Sequence, residues 1–221
     1  GDDDPVSMKC DFLTSLCETI VGHGNLDPLM VNIINKCGRS IYKSYWEQME
    51  SAFAEGIVTI DRTKMPTLVD FYMKMANIKN ERAQYLAEAL EQYCTGNYDV
   101  FARQTDIDTT AKFVVYDISS VSKQSPQMKE FALQICVDNI WNKVLENKRK
   151  GIRTWFYIDE FHILMQSETS ARYMLQVYRR ARKYGGIPTG ITQNIEDLLL
   201  SDQSRTILDT CKFMLVMNQS Q

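Results

Sequence analysis

At 221 residues, with 44% hydrophobic and 24% charged side chains, the chain has the composition of an ordinary soluble protein, long enough for one sizeable core or a core with a smaller appended unit. A net charge of −3 excludes a global basic field, so any contact with nucleic acid must come from a local patch. The six cysteines, at 10, 17, 37, 94, 136 and 211, form no C-x-x-C pair and, with only two histidines, no zinc pattern; reduced core thiols of a cytosolic protein are expected.

Asp2-Asp3-Asp4 reads as a solvated end, and no charged and apolar leader or membrane-length apolar run follows it, so neither insertion nor export by signal peptide is expected. From Met8 to Val21, Phe12, Leu13, Leu16 and Ile20 fall on one helical face. Gly22-His23-Gly24-Asn25 breaks that pattern, and Asp27-Pro28 starts a second helix striped by Met30, Ile33, Ile34, Cys37, Ile41 and Tyr45. A short strand at Ile57–Ile60, a helix opened by Pro66 with Leu68, Phe71, Tyr72, Met75 and Ile78, and a helix from Glu81 ending at Gly96 complete this part. Residues 23–108 thus read as a mostly helical subdomain, with residues 1–22 as an N-terminal helix of the core that follows.

At Lys112 the grammar changes. Phe113-Val114-Val115-Tyr116-Asp117 reads as a buried strand, and Ser125-Pro126 caps a long helix bearing Ala132, Cys136, Ile140 and Val144. Thr154–Ile158 is too short and too aromatic and β-branched for a helix, and reads as a strand buried on both faces. A helix near 168–184, a strand at 187–192, a short helical stretch near 195–209 and a last strand at 213–217 follow. Strands alternating with helices mean parallel crossovers, so residues 109–221 predict an α/β core with a mostly parallel sheet flanked by helices.

Asp159-Glu160 stands at the carboxyl end of its strand, the edge where open α/β sheets bind ligands. An Asp there can hold a magnesium-bound water while the Glu orients an attacking water, the division of labour in phosphoryl transfer. Gln193 ends the next strand, on the same edge if both strands are parallel, where a neutral amide can report on a γ-phosphate. The helix between them closes with Arg179-Arg180-Ala181-Arg182-Lys183, cations that either offset the helix dipole or, at Arg172, Arg179, Arg182 and Lys183, reach a phosphate or a neighbouring subunit. Lys148, Arg149, Lys150 and Arg153 read either as a DNA-contacting patch or, the favoured reading, as a solvated helix end and turn. Asp159-Glu160-Phe161-His162 also spells a short helicase box, but Thr192-Gln193-Asn194 stands where that superfamily has Ser-Ala-Thr. Glu160 and His162 are spaced wrongly for zinc, so His162 is expected to pack beside the site. No Gly-Lys-Ser or Gly-Lys-Thr occurs to cradle phosphates, and Gly38-Arg39-Ser40 lies mid-helix.

Four blocks together, Tyr93–Phe101, Lys112–Ser119, Trp155–His162 and Arg179–Asn194, resemble in order and spacing the C-terminal ATPase domain of the conjugative-transfer ATPases of type IV secretion systems, the VirB/TraC type. The resemblance implies a RecA-like P-loop core with an all-α insertion that hydrolyses ATP with Mg2+ at subunit interfaces. It implies Asp159 and Glu160 as the Walker B pair, Gln193 as the sensor, and Arg182, with Arg179 as the weaker candidate, as the arginine near a neighbour's active site. It further implies a homo-oligomer, such as a hexamer, at the cytoplasmic face of a bacterial membrane, with inner-membrane secretion components as partners, and leaves open whether DNA is contacted directly. In that family a P-loop precedes the residues matched here, so an internal piece of the domain is expected. Rival readings are a DNA translocase or helicase of the FtsK/HerA type and a non-enzymatic module that lost its P-loop.

Overall fold

The computed structural model describes residues 4–56, 62–102, 111–123, 125–193, 195–199 and 202–217. The chain runs α1 (Pro5–Val21), α2 (Pro28–Ala54), α3 (Leu68–Ala76), α4 (Glu81–Cys94), α5 (Ser119–Ser122), α6 (Pro126–Arg149), β1 (Thr154–Ile158), α7 (Glu168–Tyr184), β2 (Gly186–Gly190) and α8 (Asp202–Thr210), with four short 3-10 turns among the described residues. It is a mixed α/β fold, mostly helical, whose sheet among the described residues consists of β1 and β2 in parallel. No helix among the described residues is long and apolar enough to cross a membrane.

Helix boundaries follow local chemistry. The Ser125 hydroxyl caps α6 by accepting the Met128 N–H, and Ser167 caps α7 by accepting the Ser170 N–H. Gly185, left-handed at φ 72°, ends α7, so the expected span of 168–184 is met. Pro66 lies just outside α3, whose N-cap is Thr67 in a reciprocal capping box with Asp70. The stretch expected to be helical at 195–209 is a 3-10 turn over Glu196–Leu199 followed by α8. The strand expected at Ile57–Ile60 lies outside the described residues.

α1 is the hub, packing against α2, α4, α6 and α7. Its burial is not confined to the apolar face read from the sequence, because Lys9, Thr14, Ser15, Glu18 and Thr19 are buried as well. Each charge therefore needs a partner inside the fold. The Lys9 ammonium donates to Asp138 of α6 at 2.7 and 2.5 Å and lies 5.7 Å from the ring centroids of both Phe12 and Tyr42. Glu18 accepts from the Gly24 N–H at 3.1 Å and from the Thr169 hydroxyl of α7. Gly38 lets α2 approach α1, since a Cβ there would lie 3.1 Å from Cys10 Sγ and from Leu13 Cδ1. Gly38-Arg39-Ser40 is mid-helix, as expected.

The sheet departs from expectation in three places. β1 buries Phe156 and Ile158 but exposes Trp155 at 64% and Tyr157 at 59%, so it is covered on one face rather than two. Helices α6 and α7 supply that cover: a Cβ on Gly186 would meet Val144 of α6 and Ala181 of α7. The segments 113–117 and 213–217, read as strands, are not assigned to any strand; Phe113 is 82% exposed and Phe213 95%. Apolar runs become strands only where a neighbour pairs with their backbone, and neither edge of the β1–β2 pair does so among the described residues.

Removing one member of a buried ion pair strands the other, at a cost of about 3–5 kcal/mol, whereas replacing both with apolar groups is often neutral. Asp138→Ala is therefore expected to lower the urea-unfolding free energy by about 3–5 kcal/mol, and Lys9→Met combined with Asp138→Leu to recover most of it.

Candidate functional site at the carboxyl edge of the sheet

The register pairs Thr154 with Gly186 at one end and Ile158 with Gly190 at the other, so both strands point their carboxyl ends at the same edge. The chain then stays tied there. The Ile191 N–H donates to the Ile158 carbonyl at 2.8 Å, and the Phe161 N–H donates to the Ile191 carbonyl at 2.9 Å. These two bonds fix the turn that carries Asp159 and Glu160 against the segment that leads to Gln193. The register brings the ends of both strands to one edge, with Asp159 and Glu160 following β1 and Gln193 three residues past the end of β2.

A close approach makes this turn possible. A Cβ on Gly190 would stand 2.8 Å from Phe161 Cγ and Cδ1 and 3.1 Å from the Tyr178 hydroxyl oxygen. The Phe161 ring therefore rests on bare backbone, with Tyr178 of α7 tilted beside it at 5.5 Å between centroids. Burial pushes the Tyr178 hydroxyl above the usual tyrosine range.

Asp159 is exposed, and its Oδ1 accepts the Glu160 N–H at 2.9 Å. Glu160 has φ 53° and ψ 40°, the one left-handed non-glycine residue among those described. Its carboxylate lies between two bases, with Lys129 Nζ of α6 3.8 Å from Oε1 and His162 Nδ1 3.5 Å from Oε2. His162 sits beside the acid within the turn Phe161–Met165, whose other side chains are buried. Gln193 is exposed beyond β2.

The arginines lie elsewhere. α7 ends at Tyr184, next to the strand start at Gly186, so Arg182 stands at the opposite edge, separated from the acids by the length of β1, about 13 Å at 3.3 Å per residue. Arg179 and Arg182 are exposed, and neither has a carboxylate partner among the described residues; Arg172, earlier on α7, pairs with Glu168 at 2.7 Å. Lys150, from the basic helix end, is bonded to Glu146 at 2.5 Å. Burial pushes the Glu146 carboxyl up, but the Lys150 hydrogen bond and the charges of Lys143 and Lys150 outweigh it and hold the group below its ordinary range.

The edge fits the carboxylate side of a magnesium–nucleotide site. Hard oxygen donors and one or two carboxylates are what Mg2+ takes from protein, the rest being water and phosphate. The residues that would hold it are Asp159, through water, with Glu160 beside it. A phosphate cradle is a different matter, because no Gly-Lys-Ser or Gly-Lys-Thr is present.

A family model described as the TraG P-loop domain matches residues 42–221. The chain belongs to the TraG P-loop domain family. This TraG P-loop domain also shares its fold with the solved VirB4 of Thermoanaerobacter pseudethanolicus, at a TM-score of 0.69 and 20% identity, covering 92% of this chain and 54% of that one. It spans about half the length of that relative. Among curated proteins, no sequence matches it. The family match bears out the P-loop type expected from the sequence blocks, and a P-loop domain is a nucleotide-binding unit, ordinarily with Mg2+.

Lys129 was not among the residues singled out by sequence. Its signal was a cation four residues into α6, near the positive end of the helix dipole and without a first-turn acid to balance it. For Gly190, the crowding by Phe161 predicts that Gly190→Ala costs about 1–3 kcal/mol, as overpacking does, measured by urea unfolding.

Proposed function

We propose that this chain supplies the catalytic-carboxylate side of an ATP-hydrolysing, RecA-like P-loop motor of type IV secretion or conjugative DNA transfer. The observation that carries the reading is the shared edge: two parallel strands end there, Asp159 and Glu160 follow the first, and the segment that leads to Gln193 follows the second, in a chain of the TraG P-loop domain family. Likeness to a VirB4 supports the same reading.

Asp159 would hold magnesium through a water, and the ion would supply charge neutralisation to the phosphates. Glu160 accepts a hydrogen bond from the attacking water and orients it, and Gln193 hydrogen-bonds near the γ-phosphate. Residues other than these 221 supply the phosphate cradle. Arg182, at the opposite edge of the sheet, and less directly Arg179 are exposed and serve the site of a neighbouring subunit. Partners in this reading are further copies of the same ATPase, as a hexamer or another ring, together with inner-membrane secretion components, and DNA is a candidate further partner. The motor works in the cytoplasm at the face of the bacterial membrane. Within it, residues 1–22 belong to the core, 23–108 form the helical subdomain, and 109–221 carry the Walker B and sensor residues.

Glu160→Gln, made in the complete protein, keeps the shape of the side chain but removes the base. Turnover is expected to fall by at least about 100-fold with nucleotide affinity nearly unchanged, read as kcat against Kd. Hydrolysis at the parental rate would make Glu160 a structural acid and end the assignment.

A further inference from the structure

We propose that Lys129 is the positioning residue for Glu160, its ammonium fixing the carboxylate in the orientation that aligns the attacking water. The proposal rests on the role given to Glu160 above and adds a residue from α6, an element outside the motifs that identify the site.

The geometry begins with the carboxylate. Glu160 emerges from a left-handed turn, a conformation that persists only where the surroundings impose it, and the Ile163 N–H bonded to the Glu160 carbonyl at 3.0 Å helps impose it. Its two oxygens then face different groups, Lys129 Nζ at 3.8 Å and His162 Nδ1 at 3.5 Å. Side chains of Lys129 and Glu160 are 29% and 31% exposed, so the pair is partly shielded from solvent. A lysine is a fixed charge on a flexible stem, and it aligns a carboxylate only if its own backbone is held.

That backbone is held on several sides. The Ser125 hydroxyl accepts the Met128 N–H at 3.1 Å. The Gln127 amide donates to the carbonyls of Thr19 and Ile20 at 2.6 and 3.0 Å, tying the first turn of α6 to the last of α1. One residue beyond Lys129, the buried Glu130 faces His23 at 3.1 Å, and the Gln134 amide donates to the Thr19 hydroxyl at 2.9 Å. Lys129 is thus presented from a rigid platform. The helix dipole disfavours a cation there, and the Glu160 carboxylate compensates for it.

The test is steady-state ATP hydrolysis by the complete protein. Lys129→Met is expected to lower kcat by about 10- to 100-fold, as misplacement of a reacting group does, with KM for ATP within about twofold. Lys129→Arg restores a cation and is expected to stay within about threefold of the parent, a rescue that a purely structural role would not need. Binding of a fluorescent ATP analogue checks the fold; if Lys129→Met fails to bind, Lys129→Gln takes its place, and failure of both overturns the proposal, since a positioning residue leaves binding intact. If Glu160→Gln abolishes turnover while Lys129→Met keeps the parental kcat, the proposal falls and the role of Glu160 stands. A raised KM at unchanged kcat makes Lys129 a nucleotide contact and also overturns it. Parental turnover in both variants removes the role of Glu160 and the proposal together.

Discussion

Two backbone hydrogen bonds, from Ile191 to Ile158 and from Phe161 to Ile191, continue the β1–β2 ladder past the ends of the strands. They depend on the parallel register and on a glycine at 190, where the Phe161 ring occupies the space of a Cβ. Asp159, Glu160 and Gln193 share an edge because of this tie. The same register sends the end of α7, with Arg182, to the other edge. One chain therefore presents acids at one end and, at the other, arginines without a carboxylate partner among the described residues, the arrangement from which the proposal of sites completed between subunits starts.

Behind the sheet, α1 makes the arrangement rigid. A helix buried all round cannot carry Lys9, Glu18 and Thr19 unless neighbours satisfy them, and the partners are Asp138 and Gln134 on α6 and Thr169 on α7. These contacts fix α6 and the crossover helix α7 relative to a common axis. The start of α6 is fixed most firmly, and Lys129 with it. Burial pushes the Glu130 carboxyl up, with the His23 charge and the Thr19 hydrogen bond acting against it, so this network is also where the fold holds an acid at some cost.

Much of this was legible in the sequence, for reasons that can be named. The aromatic run Thr154–Ile158 ending in two acids, the Ser125-Pro126 start of α6 and the glycine stop of α7 are local signals, and local physics decides them. What was not legible depends on distant residues. Phe113–Asp117 and Phe213–Met217 have strand composition, yet pairing decides strand formation, and pairing is not encoded in an apolar run. Trp155 and Tyr157 looked buried for the same reason, since composition does not say which face is covered. Buried Lys9 and the approach of Lys129 to Glu160 are contacts between residues 129 and 31 positions apart, beyond any periodicity argument.

The central claim is that the acids and the arginine serve different active sites because the sheet stands between them. The direct measurement mixes two inactive chains of the complete protein, Arg182→Ala and Glu160→Gln, and assays ATP hydrolysis in oligomers confirmed to contain both. Recovered activity is expected, since an interface pairing intact Glu160 from one chain with intact Arg182 from the other can form. No recovery in such mixed oligomers would contradict the account and leave Arg182 as a helix-end cation of its own subunit.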